Sequence, residues 1–115
     1  MARFNCEIIG IVAYSPDFSY QELYEIEHTL IGQLQHILEQ NGGDHLDFWG
    51  TGDCLQFQCV LNEYEEDSLD AIVDDLAESL ADGLHGKAVC LEKHLDTLSV
   101  YYFRPQVWSK DRLEL

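Results

Sequence analysis

Hydrophobic and polar positions along the chain switch several times between a two-residue and a 3.6-residue period, and each switch marks an element. Residues 4–14, FNCEIIGIVAY, alternate at first, with Phe4, Cys6 and Ile8 set against Asn5 and Glu7, and then become apolar on both sides through Ile9, Ile11 and Val12. That profile predicts a strand in the middle of a sheet. Ser15-Pro16-Asp17 breaks it, and Ser19 followed three residues later by Glu22 has the form of a capping box that opens a helix. Leu23, Ile26, Leu30, Ile31, Leu34, Ile37 and Leu38 then keep helical spacing until Asn41-Gly42-Gly43 ends the run.

Residues 45–49 and 54–62 predict two strands joined by Gly50-Thr51-Gly52-Asp53, a short glycine-containing connection between apolar runs. In the second of these, Leu55, Phe57, Cys59 and Leu61 share one face while Cys54, Gln56, Gln58 and Val60 share the other. A second helix is predicted over residues 66–84, with Leu69, Ile72, Val73, Leu76, Leu80 and Leu84 turned inward and Gly83 and Gly86 punctuating its end. Residues 87–93 and 97–104 predict another strand pair, turning through His94-Leu95-Asp96.

The order β-α-β-β-α-β, with an extra C-terminal strand, predicts an α+β fold of ferredoxin-like type: an antiparallel sheet with two helices on one face. Residues 1–105 read as one α+β domain. Residues 106–115 read as a polar C-terminal tail whose Val107, Trp108 and Leu113 dock on the body or reach a neighbouring chain. The sheet face away from the helices should be wet. Yet the sets that can point outward, depending on register, include Ile9 and Ile11, Val60, Ala88 and Cys90, and Tyr101 and Phe103. Something is expected to cover such a face, and the simplest cover is a second copy of the chain, so a homo-oligomer is anticipated.

Composition narrows the class. A chain of 115 residues with 46% hydrophobic content can build one packed core, and two independent domains would each be too small. No stretch approaches the roughly 18–20 apolar residues that cross a bilayer, and MARFNCEIIGIVAYS lacks the layout of a signal peptide. The cysteines Cys6, Cys54, Cys59 and Cys90 form no C-x-x-C pair, which points away from a zinc ribbon or a thioredoxin-type motif and towards buried thiols in a reducing, cytoplasmic setting.

Charge changes the picture most. There are 22 acidic and 6 basic residues, for a formal net charge of −16, and Phe4 to Gly86 contains no Lys or Arg but 18 Asp or Glu. Such a surface repels phosphate backbones and anionic lipid, so direct binding of nucleic acid or membrane is not expected. On the second predicted helix Asp70, Asp74, Glu78 and Asp82 stand at successive i, i+4 positions, with Asp67 and Asp75 beside them and Glu63, Glu65 and Glu66 just before. Like charges at that spacing cost an isolated helix about 0.2–0.5 kcal/mol per pair, and no base offsets them. The bland reading is a solvated face, or an adaptation to high salt; the sharper one is a docking surface for a basic protein.

Other chemistry is thinly represented. Calcium loops need ligands in the order D-x-D-x-D-G, which is missing, and Glu25-x-x-His28 is one lone copy of a motif that di-metal carboxylate sites use in pairs. No metal or cofactor is therefore expected. The segments G-x-S-x-G and H-E-x-x-H are missing, as is a glycine-rich phosphate loop, and Cys54 has Asp53 rather than a base beside it. One local resemblance stands out. Residues 23–52, a helix followed by LDFWGTG, resemble the helix and strand ending in D-G-W-G-T of the regulator of ribonuclease activity B family, sharing Trp49, Gly50 and Thr51, with Phe48 where the family has Gly. That family is acidic, ferredoxin-like and acts by binding a ribonuclease, so the resemblance implies a binding role and assigns no functional residues.

The expectation that follows is a non-catalytic interaction protein of inhibitor, immunity or adaptor type. It would bind a basic partner, such as a nuclease, toxin or nucleic-acid-binding protein, through Asp67, Asp70, Asp74, Asp75, Glu78 and Asp82, with Tyr64 as an aromatic anchor. The alternative is a small-ligand-binding or enzymatic homodimer with a pocket on the open sheet face, lined by Trp49, Gln56, Gln58, Tyr101 and Phe103.

Overall fold

In the computed structural model, residues 6–62, 67–93 and 97–114 are described. They form β1 (Cys6–Tyr14), α1 (Tyr20–Gln40), β2 (Gly43–Gly50), β3 (Cys54–Leu61), α2 (Ser68–Ser79), β4 (Leu84–Glu92), β5 (Thr97–Arg104) and β6 (Val107–Glu114). The fold is α+β: one six-stranded sheet with strand order β2-β3-β1-β4-β5-β6, every neighbouring pair antiparallel, and two helices.

The apolar first strand sits inside the sheet, between β3 and β4, as its two-sided hydrophobicity requires. Its residues Cys6, Ile8, Gly10, Val12 and Tyr14 face the helices, opposite Leu61, Cys59, Phe57 and Leu55 on β3 and Glu92, Cys90, Ala88, Gly86 and Leu84 on β4. Both helices lie on this face: the Tyr14 hydroxyl donates to Glu27 of α1 at 2.9 Å, and the Tyr101 hydroxyl donates to Asp70 of α2 at 2.7 Å. Leu30, Leu34, Ile37 and Leu38 of α1 and Leu69, Ile72, Val73 and Leu76 of α2 complete a continuous core with the strands. α1 starts as its capping box dictates: the Glu22 amide donates to the Ser19 hydroxyl at 3.2 Å, and the Ser19 amide donates to the Glu22 carboxylate.

Three expectations need correction. α2 ends at Ser79, and Leu80 is already extended; Gly83, at φ +86°, turns the chain, and Leu84 begins β4 instead of closing a helix. Gly86 is accordingly a strand residue. It lies directly under the Phe103 ring, as Gly10 lies under the Phe57 ring, and any Cβ at either position would collide with the aromatic above it. Third, residues 107–114, anticipated as a tail, form a full edge strand paired with β5 from Thr97↔Glu114 to Arg104↔Val107, through a tight turn at Pro105-Gln106.

Candidate functional site

The carboxylate stripe on α2 is only partly a surface. Asp70 accepts from the Tyr101 hydroxyl at 2.7 Å and from the Lys110 ammonium at 2.9 Å, and Asp74 accepts from the Trp108 indole N–H at 3.1 Å. Next along the helix, the Gln106 amide side chain donates to the Glu78 carbonyl at 3.1 Å and its backbone N–H donates to the Ala77 carbonyl at 2.9 Å. These are carbonyls in the last turn of α2, which have no partner within the helix, so the β5–β6 turn acts as its C-terminal cap.

The match between helix and strand is geometric. Residues four apart on a helix advance about 6.0 Å and residues two apart on a strand about 6.6 Å. Positions 70, 74 and 78 therefore keep step with positions 110, 108 and 106, and each acidic position meets a donor on or next to β6. Burial would by itself raise the Asp70 carboxyl, but the hydrogen bonds from Lys110 and Tyr101 and the Lys110 charge outweigh it and hold the group below its ordinary value. The Tyr101 hydroxyl is pushed far up, first by burial and then by its bond to the Asp70 carboxylate. The Lys110 ammonium also stands 5.6 Å from the Tyr101 ring centre, and Trp108 packs against the same ring.

What remains outward is smaller than the anticipated row. Asp82 has left the helix for the turn before β4, and Asp67 sits at the helix start without a side-chain capping bond. Asp74, Asp75 and Glu78 keep one carboxylate oxygen each within 4.8 Å of one another. Among the described residues, the hydrogen bonds and ion pairs give Asp75 and Glu78 no basic partner. Glu63, Tyr64, Glu65 and Glu66 lie outside the described residues. Glu25 and His28 are exposed on α1.

The expected pocket residues divide between the two sides of the sheet. Trp49, Gln56 and Gln58 do share the open face, since Trp49 pairs with Gln56, and Gln58 pairs with Ile9 and Asp47. Tyr101 and Phe103 do not join them: each is 1% exposed and points under the helices. The open-face residues of β5 are Leu98, Val100, Tyr102 and Arg104, and those of β4 are His85, Lys87, Val89 and Leu91. Likewise Ala88 and Cys90 are buried under the helices, whereas Ile9, Ile11 and Val60 are on the open face as anticipated. One end of this face is a wide groove of about 1220 Å³ whose walls include His85, Lys87, Tyr102, Arg104 and Val107. Its size exceeds the roughly 300–1,000 Å³ of small-molecule pockets, and it opens broadly to solvent.

The thiols are chemically quiet. All four cysteines are unpaired; burial pushes Cys6 up to about 12 and Cys59 to about 11, and burial pushes Cys90 higher still. Cys54 is raised by burial and then by the neighbouring Asp53. None of them is a thiolate at neutral pH, so none is an activated nucleophile. Among the described residues no helix is long and apolar enough to cross a membrane. No protein-family model matches the chain, and no characterised protein matches its sequence.

Proposed function

We infer that this chain is a non-catalytic acidic interaction protein that binds a basic protein surface through its helical layer. The observation that carries the reading is the outward pair Asp75 and Glu78, each with a carboxylate oxygen within 4.8 Å of one on Asp74, on a helix whose Asp70 and Asp74 are already bonded to β6. A carboxylate set with no cation of its own attracts cationic side chains and speeds their approach. The quiet thiols favour binding over nucleophilic chemistry. The α+β fold, one six-stranded antiparallel sheet with two helices, leaves the outer side of α2 open to such a contact.

The test uses Asp75→Lys with Glu78→Lys, which leaves the Asp70 and Asp74 bonds to β6 intact. Immobilised wild-type chain, incubated with host lysate at low salt, should retain a basic protein that added salt releases and that the double variant does not retain. Identical recovery on both chains would sink the reading.

A further inference from the structure

We propose that the open sheet face is covered by a second copy of this chain, packed about a two-fold axis in the plane of the contact. The inference stands apart from the helical-layer reading, since it uses the opposite side of the molecule, and either can fail alone.

Apolar exposure is concentrated there. Seven large apolar side chains are prominently exposed among the described residues, and five of them, Ile9, Trp49, Tyr102, Val107 and Leu113, project from this face. Ile9, on a strand with neighbours on both sides, is 52% exposed, an unusual position for a bare isoleucine. Val89, Leu91, Leu98 and Val100 extend the patch across β4 and β5.

Charge says what covers it. The chain carries −16 overall, yet this face is close to neutral: Lys87, Lys93 and Arg104 stand against Glu7, Asp44, Asp47 and Asp111. Glu7 is answered in place by Lys93 at 3.3 Å. Of the others, Asp111 stands on the β6 edge opposite Val100, and the remaining four are segregated. Asp44 and Asp47 occupy one corner, on β2 opposite Val60 and Gln58, while His85, Lys87 and Arg104 occupy the diagonal corner on β4 and β5. Among the described residues no carboxylate partner is recorded for Lys87 or Arg104. An isologous contact requires that the patch meeting one corner be its own complement, and a diagonal two-fold lays the acidic corner of each copy on the basic corner of the other. A purely basic or purely acidic partner would match one corner and be repelled by the other. This is also the side on which two strongly negative molecules can approach, because most of their charge then points outward.

The area is sufficient. Six strands of about eight residues span roughly 25 by 26 Å, about 650 Å² of flat surface. That is close to the ~800 Å² per partner of a standard interface.

Sedimentation equilibrium of the full chain between 1 and 100 µM in 150 mM salt tests the proposal. The wild type should run at twice its 13.2 kDa mass, and Ile9→Lys should weaken association at least ~100-fold while keeping its circular dichroism spectrum. If that variant does not fold, Tyr102→Glu, at a position 43% exposed, serves in its place. A chain carrying Lys87→Glu and Arg104→Glu, and another carrying Asp44→Lys and Asp47→Lys, should each self-associate at least ~10-fold more weakly, and an equimolar mixture should recover the dimer. A wild type that stays monomeric at 100 µM overturns the proposal, as does a dimer indifferent to Ile9→Lys or a mixture that fails to associate. A monomer whose Lys87 and Arg104 amide resonances move with added inorganic phosphate would reassign the face to an anionic ligand.

Discussion

Asp70 and Glu78 lie on the same helical stripe, eight residues apart, and should respond to truncation in opposite directions. In Asp70→Ala the Tyr101 hydroxyl, on a residue 1% exposed, loses its acceptor. An unsatisfied buried hydroxyl costs about 1–3 kcal/mol. Lys110 loses its ion pair as well, but the two side chains are 32% and 34% exposed, so solvent screening limits that contribution to below about 1 kcal/mol. Opposing these, removal of a like charge four residues from Asp74 returns about 0.2–0.5 kcal/mol, and alanine favours the helix by roughly 0.5 kcal/mol. The net expectation is a loss of about 1–2 kcal/mol. Glu78→Ala has only the two favourable contributions, because its bond to Gln106 runs through the backbone carbonyl, and it should be neutral or stabilising by a few tenths of a kcal/mol. Urea titration should separate the midpoints by about 1 M, taking a slope near 1.5 kcal/mol/M. The pH dependence has a defined sign. Asp70 is held below its ordinary value of 3.8 in the folded state, so its contribution is present above that value and disappears as pH falls through the folded-state value. The difference between wild type and Asp70→Asn should therefore persist at pH 7 and close only as pH falls below 3.8 through the lowered folded-state value. Equal midpoints for Asp70→Ala and Glu78→Ala would refute the bonded role of Asp70.

Gly10→Ala should destabilise by about 1–3 kcal/mol through overpacking against Phe57, and Phe57→Leu in the same chain should recover part of it, a non-additivity visible in a denaturation cycle. Native chain treated with iodoacetamide at pH 7.5 should be alkylated first at Cys54, the least buried thiol, with Cys6, Cys59 and Cys90 reacting only after unfolding; mass spectrometry of the digest reads this directly, and early labelling of Cys90 would contradict it. Removing residues 107–115 should abolish a cooperative thermal transition, because Tyr101 loses its Trp108 cover and Asp70 its Lys110 partner. A transition retained within about 1 kcal/mol of wild type would show that β6 is dispensable.

Much of this architecture is legible locally. The capping box at Ser19 and Glu22 uses groups three residues apart, and the alternation of Leu55, Phe57, Cys59 and Leu61 names its own buried face. The β5 face was not legible, because SVYYF offers bulky residues on both parities. What decides it lies across the sheet: Gly86 and Ala88 on β4 leave room for the Phe103 and Tyr101 rings, so small residues opposite large ones carry the signal. The end of α2 is not legible locally, because Leu80 and Leu84 keep helical spacing while Gly83 takes a positive φ that no helix permits. The inward half of the acidic stripe is not legible locally, because its partners come 28–40 residues later, on a segment whose charge disguises its alternation.

That separation along the chain bears on how the protein is made. During synthesis α2 leaves the ribosome well before Gln106, Trp108 and Lys110 exist outside it, so for that interval Asp70 and Asp74 repel each other without compensation and the last turn of α2 has no cap. The stabilising partners arrive only with residues 106–110. Closure of this layer is thereby tied to synthesis of the β5–β6 hairpin: a product that stops before residue 106 carries a helix that repels itself and an uncovered Tyr101, and the hairpin closes both.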